Sequence, residues 1–224
     1  MLKLRSVWDL ELYASLLEHS TANFGPVLDA NAYRNSENGF WLRHDVELSI
    51  AAAKEIALLE NAMDVTASYF ICFQSPFLKY SSSCFKEFVR FLSELGHDVY
   101  FHIVLNHSVK RDLLELQEKY PGVKREVVSY HAPGVGPDKL AELQGGETVY
   151  RGLVEKSVRY FSDSTGKWRW GNPIEFTPGD KSTIQILTHP FWWVPRIMED
   201  ILDEITPDEV ALFLPQYTKS KSGS

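Results

Sequence analysis

Gly39-Phe40-Trp41-Leu42-Arg43-His44-Asp45-Val46-Glu47 is the stretch on which the fold reading turns. It opens with aromatic and aliphatic residues and closes with charged ones. A short apolar run of this kind suits a buried β-strand whose C-terminal end opens onto a functional site. Immediately downstream, Ser49 is placed to cap a helix, and the Ala-, Leu-, Glu- and Lys-rich stretch through Ala62 predicts that helix.

Working outward, the same strand-then-helix alternation recurs. Val65 to Phe73 reads as a strand, Phe85 to Leu95 follows helical spacing with Gly96 as its stop, and Asp98 to Leu105 reads as another strand. Lys110 to Lys119 is predicted helical and Val127 to Tyr130 extended. Ser157 to Phe161 and Thr183 to Leu187 are predicted strands, and Trp192 to Ile205 a helix. The segment from Gly166 to Lys181, with Gly171, Pro173, Pro178 and Gly179, reads as a loop carrying Trp168 and Trp170. Such alternation implies parallel strands joined by crossover helices, and we expect an α/β fold, an irregular (β/α) barrel.

The chain has 224 residues, 44% hydrophobic and 24% charged, which suits one domain over residues 1–218 followed by a mobile tail at 219–224. A formal charge of -7 without a long basic run speaks against nucleic-acid or anionic-membrane surfaces as partners. The first residues mix charged with apolar side chains, unlike an export signal, and no stretch is long enough to span a membrane. Cys72 and Cys84 lack metal-ligand spacing and read as reduced structural thiols, so a cytoplasmic location is expected.

His44, His102, His131 and His189, four of the seven histidines, fall where predicted strands end, together with Asp45 and Glu47. In a parallel barrel those ends converge on one face, so residues distant in sequence share one site. Carboxylates and imidazoles together suit Zn²⁺ or a similar divalent ion with a position left open for water. Such an ion acidifies water and polarises a carbonyl. A carboxylate would then take the water's proton and a separate imidazolium would protonate a leaving amine.

Five segments carry a family resemblance: Leu42-Arg43-His44-Asp45-Val46-Glu47, Gly96-His97-Asp98-Val99-Tyr100-Phe101-His102, Ser129-Tyr130-His131-Ala132-Pro133, Ser162-Asp163-Ser164 with Trp168, and Thr188-His189-Pro190-Phe191-Trp192-Trp193. In this order they resemble the polysaccharide deacetylases of the NodB-homology, carbohydrate-esterase type, and within it the deacetylase-like branch with an Arg-His-Asp-Val-Asp first motif. The resemblance implies an irregular (β/α) barrel and a metal-dependent hydrolase removing an N-acyl group, acetyl first, from a sugar. It implies Asp45 as the base, Glu47 and His102 as metal ligands and His189 as the acid; Asp163, between Ser162 and Ser164, reads either as a turn or cap acid or as orienting a catalytic histidine. On the adjacent-acid form of the motif, His44 instead falls on the base and Asp45 on the metal.

Three departures bear on the carry-over. His102 and His107 are five apart where the family has histidines four apart, so His131 competes for the third ligand position. Ala132 stands where the third motif has arginine, and Glu47 where the first has Asp. Trp168 and Trp170, with His44, are the expected substrate-binding residues.

Plainer readings stand beside these. Asp45 and Glu47 also read as strand-end acids paired with Arg43 or a lysine, His102 as a hydrogen-bonded core histidine, His107 as a loop or cap residue, His131 as a turn residue before Ala132-Pro133-Gly134, His97 as a capping or dipole-compensating residue at a helix end, and Trp192 and Trp193 as core. The expected substrate is a small-molecule or lipid-linked sugar of surface-polysaccharide assembly. The competing functions are a non-catalytic carbohydrate-binding relative and another metal-dependent amidohydrolase.

Overall fold

The computed structural model describes residues 8–104, 109–131, 149–150, 158–164, 166–168, 170–179 and 183–197. Its strands are β1 (Gly39–Val46), β2 (Ser68–Ile71), β3 (Asp98–Val104), β4 (Lys124–His131), β5 (Val158–Ser162) and β6 (Thr183–Thr188). All pair in parallel, in the order β4-β3-β2-β1-β6-β5, so β1 lies inside the sheet. The fold is α/β, a six-stranded parallel sheet with helices, consistent with the irregular (β/α) barrel expected. Among the described residues the pairing runs from β4 to β5 without closing.

The helices are α1 (Leu10–Asn23), α2 (Ala30–Asn35), α3 (Ile50–Ala62), α4 (Ser82–Glu94) and α5 (Val109–Lys119). Helix α3 starts where its sequence predicts, with the Ser49 side chain accepting from the Ala52 N–H at 3.0 Å. Gly96 follows α4 in the left-handed region, at φ 84°, which a side chain would disfavour. Helices α1 and α2 are additions to the sequence reading. Helix α1 is capped by Asp9 and buries Tyr13, Leu16, Leu17 and Ser20, one face at helical spacing. The predicted helix from Trp192 opens instead on a 3₁₀ turn, Pro190–Trp193, and residues 198–205 lie outside the described set, as do 219–224. No helix among the described residues is long and apolar enough to cross a membrane.

Successive residues of a strand face opposite sides of the sheet. On β1, Phe40, Leu42 and Val46 join Tyr69, Ile71, Val99, Phe101, Ile184 and Ile186 in the core beneath the helices. Trp41 joins Phe70, Tyr100 and Val127 in a smaller cluster on the other side, the interior of the barrel. Full burial of each such side chain contributes roughly 1.5–3 kcal/mol.

His44 interrupts the helix-covered face and is fully buried there. Its Nε2 lies 2.7 Å from Glu60 Oε1 on α3, and its Nδ1 2.7 Å from Thr188 Oγ1 on β6. Tyr13 of α1 and Tyr69 of β2 donate to the same Glu60 carboxylate at 2.5 and 2.6 Å. Burial works against the charged form of Glu60, but His44, His97 and the Tyr13 hydroxyl together outweigh this and bring its pKa down. His97 is not a helix-end charge but a buried tie. Its Nδ1 accepts from the Ala67 N–H at 3.1 Å and its Nε2 faces the Ala57 carbonyl at 3.3 Å.

Glu60 therefore bonds α1, α3, β1 and β2 together at one carboxylate. Truncation to Ala leaves one imidazole and two phenols without that partner inside the core. We expect Glu60→Ala to destabilise the protein by about 3–5 kcal/mol, the usual cost of breaking a buried ion pair, as read from urea unfolding midpoints.

Candidate functional site

The strand register that turns His44 outward turns Arg43 and Asp45 inward. It does the same across the neighbouring strands, where His102 pairs with Ser129 and Val104 with His131. These side chains gather at the C-terminal end of the sheet, with Glu47 one residue beyond β1.

Glu47 Oε1 lies 2.7 Å from His102 Nε2 and 2.6 Å from His131 Nδ1. The two rings stand at 90° with centroids 5.7 Å apart, so both present nitrogen to one oxygen without stacking. Burial raises the Glu47 pKa, but His131 and His102 outweigh it and hold the carboxylate well below its usual range. His131 is raised in turn: burial opposes its charge, and Glu47 more than compensates.

One ligand atom from each of Glu47, His102 and His131 lies within 4.8 Å of the others. Two imidazole nitrogens and one carboxylate oxygen form a donor set used by catalytic zinc, with a fourth position for water. The residues therefore fit a divalent ion. An ion held there would take the place of the present hydrogen bonds, with the ligands giving up their protons to it. Asp45, Glu47 and His189 form a second group meeting the same distance condition, sharing Glu47. Asp45 has a competing engagement, since Arg43 Nη2 contacts its two oxygens at 3.1 and 2.8 Å.

Arg43 is itself 1% exposed and lies over the Phe70 ring at 5.2 Å. Its Nε and Nη1 have no hydrogen-bond partner among the described residues, so its polar attachment runs through Nη2, to Asp45 and to Ser129 Oγ at 3.0 Å. The plain expectation of an Arg43–Asp45 pair is thus met, and Asp45 still borders the site. The guanidinium here comes from β1, while position 132, where the family motif has arginine, lies outside the described residues.

Asp163, after β5, is fully buried and accepts from the His189 backbone N–H at 2.9 Å and from Trp193 Nε1 at 2.8 Å. Its Oδ1 also lies 2.6 Å from His189 Nδ1. The ring is thereby oriented with Nε2 directed away from the carboxylate. Burial opposes the imidazolium, but Asp163 outweighs it and pushes the His189 pKa up to about 9. His189 and Asp45 both line a small pocket, together with Glu47, Leu48, Pro190 and Phe191.

The structure thus brings together Asp45, Glu47, His102, His131, His189 and Asp163. It leaves His44 out, on the opposite face of β1 and bound to Glu60, so neither a base role nor a substrate contact is open to it. Trp168 is half-buried against the core, with ring centroids 5.5 Å from Trp8 and 6.0 Å from Trp193, whereas Trp170 is 59% exposed. The expected Trp168–Trp170 wall is therefore divided between packing and surface. His107 lies outside the described residues. Ser129 stands in the segment Ser129-Tyr130-His131-Ala132-Pro133, where the sequence alone assigns it no role. Its alternation with Val128 and Tyr130 was the available signal, since it marks an inward-facing hydroxyl beside His131.

No protein-family model matches the chain, and a search of curated proteins finds no match. Among solved structures the chain is similar to a family 4 carbohydrate esterase from Bacillus anthracis, at 15% identity and TM-score 0.40 over 78% of this chain and 76% of that one. It is similar to a Streptococcus mutans CE4 esterase at 14% identity and TM-score 0.47, over 92% of each chain. A third is a CE4 family pseudoenzyme from Bacillus anthracis, at 14% identity and TM-score 0.40 over 76% of this chain and 62% of that one.

The His189–Asp163 pair has a pH signature. A histidine pKa raised by folding contributes stability fully below its ordinary value of about 6.5, and that stability is lost as pH rises through about 9. The stability difference between wild type and Asp163→Asn should be largest near pH 6 and narrow above pH 9, measured by denaturant unfolding at each pH.

Proposed function

We propose that this protein is a metal-dependent hydrolase that removes an N-acyl group, acetyl first, from a sugar. The observation that carries the reading is the clasp of Glu47 by His102 and His131, set beside two further groups of opposite proton character, Asp45 and His189.

A divalent ion held by Glu47, His102 and His131, zinc first by its donor set, supplies Lewis acidity toward the acyl carbonyl and toward water. Asp45 is the base in this reading. Arg43 directs its carboxylate, and Asp45 lines the pocket in which water and substrate would meet. His189 is the acid. With Nδ1 held by Asp163, its Nε2 is left to protonate the departing amine, and its raised pKa keeps the ring charged at neutral pH. Without that proton the amine leaves poorly, which is why an amide needs an acid placed apart from the base. Exposed Trp170 offers a flat apolar face of the kind sugar rings pack on.

A second reading is a non-catalytic carbohydrate binder. It is favoured by the engagement of both Asp45 oxygens with Arg43. The two readings separate on the same variants. Hydrolysis predicts amine release from N-acetylated sugars that a chelator abolishes and zinc restores. Asp45→Asn should lower kcat by about 10²–10⁴-fold, in the range of general base catalysis. His102→Ala should lose the metal, read by elemental analysis. Metal-free protein that binds sugars, releases no amine and is indifferent to Asp45→Asn would establish the binder instead.

A further inference from the structure

Trp193 reads as a core residue from the sequence, and its ring is fully buried, but its one polar atom reaches the acid side of the site. The Asp163 carboxylate holds three N–H groups. The His189 backbone lies 2.9 Å from Oδ2 and 3.1 Å from Oδ1, His189 Nδ1 2.6 Å from Oδ1, and Trp193 Nε1 2.8 Å from Oδ2. An ionised carboxylate only accepts, so all three nitrogens donate. All three belong to the short segment from His189 to Trp193. The chain leaves β6, turns through Pro190–Trp193 with the Trp192 N–H on the His189 carbonyl at 3.0 Å, and returns its indole to the carboxylate that holds the imidazole.

A carboxylate turns about its Cβ–Cγ bond unless donors on both oxygens fix its plane. The backbone N–H is shared almost equally between the two oxygens and selects neither. The indole on Oδ2 and the imidazole on Oδ1 are the pair that fix it. The indole is itself held by aromatic packing. It stacks on Trp8 with centroids 4.8 Å and planes 18° apart, meets Tyr13 of α1 at 5.2 Å and 63°, and lies 6.0 Å from Trp168. Asp163 and Trp193 are both closed off from solvent, so loss of this bond leaves Oδ2 of a buried charge short of a donor.

We propose that Trp193 is a positioning residue for the acid, acting through Asp163 to set the orientation of the His189 ring. This rests on the reading of His189 as the group that protonates the departing amine. In that step the C–N bond breaks with its electron pair going to nitrogen, and the nitrogen takes its proton from His189 Nε2. An aryl ester makes no such demand, because a nitrophenolate departs with the electron pair and needs no proton. A fault in the aim of Nε2 therefore falls on the amide, whereas a loosened fold harms amide and ester alike.

The test uses the full chain with zinc supplied, as wild type, Trp193→Phe and Trp193→His. The first variant keeps an aromatic ring and loses the donor. The second gives up the larger ring but keeps a donor, since imidazole Nε2 occupies the place of indole Nε1 in the five-membered ring. Values of kcat and KM are measured on an N-acetylated sugar and on a nitrophenyl acetate ester, with a thermal midpoint for each protein. We expect Trp193→Phe to lower the amide-to-ester ratio of kcat by about 10-fold, the scale of one hydrogen bond to a charged group, with little change in KM for the sugar. Trp193→His should recover most of that ratio even where its thermal midpoint is the lower of the two. A ratio unchanged in Trp193→Phe, or one that follows the thermal midpoints through both variants, overturns the positioning role. In the assigned wild-type spectrum the Trp193 indole N–H should resist hydrogen exchange and should shift in Asp163→Asn, a measurement that stands if neither variant at 193 folds. Exchange as fast as that of exposed Trp170 overturns the role as well. A wild type that releases no amine overturns the reading of His189 as the acid and this inference with it.

Discussion

The alternation of side chains along β1 is the constraint from which the rest of the molecule follows. A strand held on both edges by parallel neighbours cannot slip by one residue without exchanging its two faces. Arg43 and Asp45 therefore face the barrel interior and His44 faces the helices. Because β2, β3, β4 and β6 are locked to the same register, His102, Ser129 and His131 are carried to the same side as Asp45. A site of scattered residues is thus assembled by backbone pairing rather than by any local motif.

The two faces of β1 treat charge differently. On the helix side the Glu60 carboxylate is closed off, with His44, Tyr13 and Tyr69 around it and no solvent contact. Buried polar groups of this sort are tolerable only when their bonding is complete, and here it links four elements. On the interior side the Glu47 carboxylate is shared by two imidazoles at the rim of a pocket. That carboxylate and those nitrogens can exchange hydrogen bonds for a cation. Asp163 stands between these extremes. Its acceptors are taken up by His189 and Trp193, and this leaves Nε2 of His189 outside the pair.

The position of Arg43 sharpens the contrast. A guanidinium buried at this depth, with two donor nitrogens unpaired among the described residues, depends on what it does hold, which is the Asp45 carboxylate and the Ser129 hydroxyl. The same contacts that steady the cation orient the carboxylate and place a hydroxyl against His102. Stability and site geometry are here one set of bonds, so substitutions at 43 or 129 act on both.

Much of this was legible in the residues themselves. The apolar run closing in Arg43-His44-Asp45-Val46-Glu47, the Ser49 cap and the Gly96 stop each specify local structure through short-range sterics and hydrogen bonding, and they suffice for an α/β alternation with acids and histidines at strand ends. Helix α1 was present as buried positions at helical spacing but was masked by the charged residues of its outer face. What local reading could not decide was the partner of each polar side chain. His44 and Asp45 are adjacent in sequence, and only tertiary packing sends one to Glu60 and the other to Arg43. The choice between Asp45 and Glu47 beside the imidazoles, and the entry of His131 as the second of them, likewise depended on strand register. Register is a long-range property, settled by which strands pair and by which face the helices cover, and no window of sequence contains it.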